Sequence, residues 1–129
     1  MNTKTAAQMI QEARQRVQNL SVDQVAIELA QGGVTLVDVR EPSEQQSGII
    51  AGAVCAPRGM LEFYADPTSP YHRPEFDPQR RVIVHCASGG RSALAADTLR
   101  QLGYAQVAHL DGGIKAWVAA GKPITPLPA

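Results

Sequence analysis

Residues 86–91 have the types and the spacing of an anion-binding loop that carries a nucleophile. Cys86 is followed by small residues and then by an arginine, where a strand pattern gives way to a helix pattern. Small residues let the backbone curl until successive N–H groups point at one spot, and a helix N-terminus adds its positive dipole end. Such a cradle lowers the pKa of a thiol below its free value of about 8.5. The sequence therefore predicts that Cys86 is a catalytic nucleophile whose anion is held by Ala87, Ser88, Gly89, Gly90 and Arg91.

The other groups near this loop have less specific surroundings. Arg91 is predicted to bind a substrate anion, and the alternative is that it only holds the loop. Cys55 lies in a short apolar stretch, which favours a packed core thiol. His85 precedes Cys86 in the strand, where successive side chains point to opposite faces, so we interpret it as a structural histidine. Two cysteines without CxxC spacing exclude a disulfide scaffold and suggest no metal site.

A strand must lead into the loop, a helix must leave it, and the sequence contains both patterns. Apolar runs predict two strands covered on both faces, over 34–39 and 81–84, with weaker candidates over 53–56 and 106–110. Helix patterns with a glycine stop lie over 92–102 and 114–120. This alternation predicts an α/β fold with a central, mainly parallel sheet of about five strands and helices on both faces. Ligands bind at the carboxyl edge of such sheets, where Cys86 is expected.

The N-terminal residues 1–20 are predicted to form a helical extension of a single domain over 21–129. Apolar residues at helical spacing indicate an amphipathic helix over 5–17. A second helix begins at Ser21, because Ser21 and Gln24 have the spacing of a capping box, and Gly32 and Gly33 end it. The apolar face of the first helix either packs on the domain or binds a partner, which would be a second copy or an acceptor protein.

A proline-rich segment over 58–80 is predicted to be a long loop insertion with one helical turn at 59–64. One interpretation makes it a lid that borders the site with Glu62, Tyr64, His72 and Arg73. The other makes it a solvated excursion anchored by Phe63 and Phe76. The pattern alone leaves both open.

Length and charge narrow the class of protein. The chain has 129 residues, 12 basic and 12 acidic, with a net charge of +0, which predicts one domain. The lack of a basic excess argues against nucleic acid or an anionic membrane as the main partner. The sequence contains neither a signal-peptide pattern nor 18 consecutive apolar residues, so we expect a soluble, cytoplasmic protein.

Three separated motifs over 21–123 resemble the single-domain rhodanese-like sulfurtransferase family. The first is LVDVREPSE at 36–44 followed by GIIAGA at 48–53, which is similar to the family's D-V-R-x-x-x-E and G-H-I-x-G-A signature. The second is the loop at 86–91. The third is LDGG at 110–113 followed by Trp117, which is similar to the family's L-x-G-G-x-x-x-W ending.

The resemblance implies a sulfurtransferase. The Cys86 thiolate would take a sulfane sulfur from thiosulfate or a similar donor as a persulfide. It would then pass the sulfur to a thiophilic acceptor such as cyanide, a thiol or a protein. No metal or organic cofactor is implied.

The first motif also contains departures from the family and supporting residues. Ile49 stands where the family usually has His, and Gln45 stands where an aromatic residue is common. Asp38 and Arg40 are predicted to form a structural ion pair that braces the site. Ser92 is predicted to support the loop.

Two other functions share this architecture. Cysteine phosphatases and arsenate reductases have five residues between the cysteine and the arginine, whereas four separate Cys86 from Arg91 here. A shorter loop suits a single sulfur better than a tetrahedral phosphate. The second alternative is a non-enzymatic persulfide relay or binding module in a larger complex.

Overall fold

A five-stranded, wholly parallel sheet lies at the centre of the computed structural model, which describes residues 3–128. The spatial order of the strands is β1-β5-β4-β2-β3. Their bounds are β1 Gln18–Leu20, β2 Val34–Asp38, β3 Val54–Cys55, β4 Arg81–His85 and β5 Val107–Leu110. The sheet and its flanking helices confirm the predicted α/β fold class.

Six helices within residues 3–128 surround the sheet, and their ends follow local capping chemistry. Their bounds are α1 Ala6–Arg16, α2 Val22–Gln31, α3 Pro42–Gln45, α4 Leu61–Ala65, α5 Gly90–Gln101 and α6 Gly113–Ala119. Capping boxes begin α1 at Thr5 and α2 at Ser21, and the second of these is the one that the sequence predicts. Within residues 3–128, no helix is both long and apolar enough to cross a membrane.

The two faces of the sheet carry separate apolar cores, because successive strand residues point to opposite sides. In β4, Val82 and Val84 belong to the core beneath α4 and α5, and Cys86 continues that face. Ile83 belongs to the other core, against residues of α2 and α6. The reactive loop therefore leaves the sheet on the α5 side.

Residues 3–20 contain a strand that the sequence analysis did not predict. After α1 the chain extends and forms β1, which pairs with β5 along the edge of the sheet, with Asn19 opposite His109. β1 has only three residues, and Leu20 is the one that is buried. The sequence therefore shows no alternation of apolar and polar residues that would predict a strand there. The helix α1 packs on α5, and the division of the chain between 20 and 21 stays a prediction.

The segment over 58–80 is an ordered excursion with a helical start. A 3₁₀ turn at Arg58–Met60 leads into α4, close to the predicted turn. Leu61 and Phe76 are fully buried, and the Tyr104 hydroxyl donates to the carbonyl oxygen of Ala65 at 2.7 Å. Phe63 is half exposed and meets Tyr71 edge-on, so its prediction as an anchor is wrong.

Candidate active site

Cys86 lies directly after the carboxyl end of β4 and is almost completely buried, at 1% exposed. His85, one residue earlier, is on the opposite face of the sheet, as the strand period predicts. Its Nδ1 lies 3.2 Å from the carbonyl oxygen of Cys86, and its Nε2 lies 3.6 Å from Oδ2 of Asp38. The position of His85 therefore suits a structural role, and the thiol faces the loop.

Backbone N–H groups of the loop and of the first turn of α5 surround the sulfur. The N–H of Gly89 donates to Sγ at 3.1 Å and that of Ser92 at 3.4 Å. Gly89 has a φ of 110°, which only glycine adopts readily, and this turn brings its N–H inward. Ala87 and Ser88 form the outer part of the loop, where Ala87 is partly exposed and Ser88 exposed.

The thiol pKa is lowered by these contacts. Burial alone would raise the pKa of Cys86. Hydrogen bonding to the Ser92 side chain and then to the backbone N–H groups of Ser92, Gly89 and Ser88 outweighs it. The positive end of the α5 dipole, at Gly90, acts in the same direction. The loop therefore stabilises negative charge on Sγ, or on an atom bonded to it.

The N-terminus of α6 fixes the loop from behind. The N–H of Ile114 donates to the Cys86 carbonyl at 2.9 Å, and that of Lys115 donates to the Ala87 carbonyl at 3.1 Å. Gly113 allows this approach, because a Cβ there would lie 2.7 Å from the Cys86 carbonyl oxygen and closer still to Ala87. The third sequence motif thus positions the second.

Arg91 forms a bidentate ion pair with Glu44 of α3. Nη1 lies 2.7 Å from Oε1 and Nη2 lies 2.9 Å from Oε2. The guanidinium lowers the pKa of Glu44 to about 2, so the carboxylate is ionised at neutral pH. The substrate-binding role of Arg91 stays a prediction, and an anion at that position would share the guanidinium with Glu44.

The predicted ion pair between Asp38 and Arg40 is present and buried. Nε of Arg40 lies 3.1 Å from Oδ1 of Asp38, and Nη2 lies 2.8 Å from Oδ2. Nη2 also donates to the Gly48 carbonyl at 2.9 Å. The pair therefore ties the end of β2 to the segment after α3.

Gln45 and Ile49, the two residues that depart from the family pattern in the first motif, both form hydrogen bonds that involve the backbone. The buried Gln45 amide donates to the carbonyls of Asp38 and Arg40, at 3.3 and 3.2 Å. Ile49 is buried and exchanges two 2.8 Å backbone hydrogen bonds with Thr125. The amide of Gln45 thus gives this turn a polar brace.

Arginines of the long excursion are bound to groups other than the cysteine loop. Arg58 pairs with Glu62 at 2.8 Å, and its Nη2 donates to Thr98 Oγ1 at 3.1 Å. Arg73 pairs with Glu75 at 2.6 Å and donates to the Cys55 carbonyl at 3.0 Å. Neither guanidinium is placed at Cys86 by these contacts. Arg14 of α1 does reach the loop, because a Cβ on Gly89 would lie 3.2 Å from its Nη2, which also pairs with Asp111 at 3.3 Å.

A histidine that the sequence does not single out, His109, connects to the thiol through Ser92. The Ser92 hydroxyl oxygen lies 3.6 Å from Cys86 Sγ and 2.9 Å from His109 Nδ1. His109 Nε2 lies 2.6 Å from Oδ1 of Asn19. His109 is the one polar residue in the apolar strand 107–110, and this position could have marked it as a candidate site residue. No sequence pattern marks Asn19.

Comparison with known proteins places these features in a family. The family model described as a rhodanese-like domain matches residues 21–120. A protein of Allochromatium vinosum named sulfurtransferase is 38% identical over 91 residues, which cover 70% of this chain and 78% of that protein.

Two solved structures share the fold. One, from Rhodopseudomonas palustris, is a protein of unknown function described as a possible tyrosine phosphatase. It has a TM-score of 0.90 and 38% identity, with 97% of each chain covered. The other is a thiosulfate sulfurtransferase of Pseudomonas aeruginosa, with a TM-score of 0.76 and 28% identity over 94% of this chain and 22% of that one.

Proposed function

This chain belongs to the family of rhodanese-like domains, and from that premise we propose that it is a sulfurtransferase that carries sulfur on Cys86. The observation that supports the proposal most directly is the set of N–H groups that converge on Sγ. The proposed donor is thiosulfate or a similar small sulfane compound. The proposed acceptor is a thiophile such as cyanide, a thiol or a protein.

In the proposed first step the Cys86 thiolate attacks the outer sulfur of thiosulfate. A bond forms between Sγ and that sulfur, the bond between the two sulfurs of the donor breaks, and sulfite leaves with the electron pair. Cys86 then carries a persulfide anion. The N–H groups of the loop stabilise the negative charge before and after the transfer.

In the proposed second step an acceptor attacks the outer sulfur and the Cys86 thiolate leaves. With cyanide the product is thiocyanate, and the enzyme returns to its starting state. The outer sulfur of a persulfide lies about 2.05 Å beyond Sγ. Since Cys86 is 1% exposed, this outer atom is the one that an acceptor can reach most easily.

Incubation of the protein with thiosulfate and cyanide tests the proposal, with thiocyanate as the product followed. We expect turnover by the wild type, none by Cys86→Ser, and retained turnover by the control Cys55→Ser. Mass spectrometry should find one added sulfur on Cys86 after exposure to thiosulfate alone. Absence of both turnover and added sulfur with thiosulfate, mercaptopyruvate and polysulfide would refute the function.

A cysteine phosphatase is the second candidate, because the similar structure from R. palustris is described as a possible tyrosine phosphatase. The spacing of Cys86 and Arg91 weighs against it, since the loop has four intervening residues and contains no acid for the leaving group. Hydrolysis of an aryl phosphate by the wild type and not by Cys86→Ser would favour this candidate instead.

We also retain the proposal that α1 contributes a surface for a second copy or an acceptor protein. In the structure one side of α1 packs on α5, with Ala13 buried, and Met9 on the helix is half exposed. A relay to an acceptor protein would use the same persulfide on Cys86. Sulfur loading of Cys86 without turnover of small acceptors would favour this alternative.

A further inference from the structure

The Ser92 hydroxyl has one proton and three acceptors around it. Its oxygen lies 2.9 Å from His109 Nδ1, 3.2 Å from the Gly89 carbonyl oxygen and 3.6 Å from Cys86 Sγ. The hydroxyl can lower the pKa of the thiol only when its proton points at Sγ. His109, at the shortest of the three distances, competes for that proton.

Asn19 decides which nitrogen of His109 can accept. The Asn19 amide nitrogen donates to the carbonyls of Arg14 and Val17, at 2.9 and 3.2 Å, so its oxygen must face His109. At 2.6 Å from that oxygen, Nε2 of His109 is the donor. A neutral imidazole that carries its proton on Nε2 has an acceptor at Nδ1.

His109 is neutral at physiological pH, which this arrangement requires. The side chain is fully buried, and burial lowers its pKa to about 4. The charged groups that face it act in opposite directions: Asp111 after β5 raises its pKa and Arg14 of α1 lowers it. On the side of Cys86 the charged neighbour is Arg91 of α5. None of these groups replaces Nδ1 as the partner of the hydroxyl.

We propose that Asn19 and His109 are positioning residues that hold the proton of Ser92 away from Cys86. The inference rests on the proposed function, in which Cys86 is the reacting thiol. The hydroxyl oxygen then presents lone pairs to Sγ, and it accepts from the thiol in the resting enzyme. Stabilisation of the thiolate then rests on the backbone N–H groups of the loop and on the α5 dipole, and the Ser92 side chain contributes no donated proton.

The chemical benefit is a thiol pKa near the working pH. A strongly lowered pKa gives more thiolate, but each thiolate is a weaker nucleophile, and the best attacking thiol has a pKa near ambient pH. By keeping one strong donor away from Sγ, the relay of Asn19, His109 and Ser92 preserves nucleophilicity. Asn19 lies before residue 21, where the family match begins, so the N-terminal segment completes this part of the site.

The test is the pH dependence of alkylation of Cys86 by iodoacetamide, with peptide mass mapping to separate Cys86 from Cys55. In His109→Leu the Ser92 proton turns to the thiolate, because a charged acceptor is preferred to the Gly89 carbonyl. We expect the Cys86 pKa to fall by about one unit or more. Asn19→Ala should shift it in the same direction by less, and His72→Leu, outside the relay, should leave it unchanged.

Ser92→Ala decides between the relay and a merely structural role of His109. The relay predicts that Ser92→Ala alone changes the Cys86 pKa little, and that His109→Leu has no further effect in that background. If Ser92→Ala raises the pKa while His109→Leu leaves it unchanged, the hydroxyl already donates to Sγ and the proposal is overturned. An equal effect of His109→Leu with and without the Ser92 hydroxyl overturns it too.

A second variant, Asn19→Ala, and an assay that needs no sulfur donor separate the possible outcomes. Asn19 is exposed on an edge strand, so Asn19→Ala should fold even if the buried His109→Leu does not. In that case Asn19→Ala decides the question, and an unchanged Cys86 pKa in this variant would reject the relay. Alkylation needs no sulfur donor, so it reports on the relay independently of sulfur transfer. Failure to load sulfur would refute the proposed function, and an unshifted alkylation profile would refute the relay.

Discussion

Gly113 allows the start of α6 to lie directly against the backbone of the cysteine loop. Its φ of +65° lies in the left-handed region, and a Cβ there would overlap the backbone of Ala87 and Cys86. The same close approach lets the N–H groups of Ile114 and Lys115 donate to the carbonyls of Cys86 and Ala87. A side chain at this position would therefore push the loop and the helix apart.

Gly113→Ala is expected to lower the free energy of unfolding by more than about 3 kcal/mol, since backbone strain and a clash with backbone atoms add. The matched control is Gly121→Ala. Gly121 has a φ of +78°, and within residues 3–128 nothing lies within 4 Å of its missing Cβ. The control should cost about 1–2 kcal/mol of strain alone. Urea unfolding measures both, and equal losses would show that the close approach to Ala87 is unimportant.

The sequence predicts site residues that are neighbours in the chain. It does not predict contacts between residues that are distant in the chain and brought together by the fold. The loop at 86–91 is readable because its donors and its thiol are neighbours in the chain. His109 lies 17 residues from Ser92, and Asn19 lies 90 residues from His109. Their contacts depend on strand order and register, which a local pattern does not contain.

Among the elements, α3 affects the site through one charge. This short helix begins at Pro42 and presents Glu44 to Arg91 at the start of α5. The pair is partly exposed, so its electrostatic effect on a bound anion is modest. The carboxylate nonetheless cancels much of the positive charge that a dianionic donor would meet.

Glu44→Gln is expected to lower the KM for thiosulfate by about threefold to tenfold, because it frees the Arg91 charge. Arg91→Ala should raise that KM. Glu28→Gln is the matched control, since the pair of Glu28 and Arg81 lies at the opposite end of β4. Steady-state kinetics provide the measurement, and an unchanged KM in both Glu44→Gln and Arg91→Ala would remove this ion pair from donor binding.

Elements with strong local signals were predicted close to their observed bounds. Helix α2 has a capping box and a glycine stop, and β2 and β4 are continuous apolar runs. The unpredicted elements, β1 and α3, have three and four residues. Their conformation depends on partners elsewhere in the fold, namely β5 for β1 and the segment around Arg40 for α3. The sequences of β1 and α3 show no repeating apolar pattern, whereas the two-residue β3 lies within the apolar stretch predicted over 53–56.

For the whole molecule, the buried histidines make stability depend on pH. Burial lowers the pKa of His109 to about 4 and also lowers that of His85. In the unfolded chain a histidine titrates near about 6.5. Between about pH 6.5 and about 4 the unfolded chain therefore binds a proton at His109 that the folded protein does not. Stability falls as the pH falls through this window, and below it this residue causes no further loss.

The expected contribution of His109 is up to about 3 kcal/mol between the ends of that window. Urea unfolding of wild type and His109→Leu at pH values of about 7.5 and about 4.5 measures it. The wild type should lose more stability over this interval than the variant does, whatever their difference at neutral pH. Parallel losses would contradict the assignment of a buried, neutral imidazole to His109.

The pairing of β1 with β5 also sets the order in which the site comes into being. The two strands meet only after a loop of about ninety residues has closed, and contacts so distant along the chain form slowly. Cys86 and Ser92 lie only six residues apart, so their contact closes a far shorter loop than the contact of Asn19 with His109 does. A newly made chain therefore carries its reactive thiol before the surroundings that restrain it are complete. The strand order of the sheet, which places β1 beside β5, therefore makes the environment of the thiol one of the last parts of the fold to form.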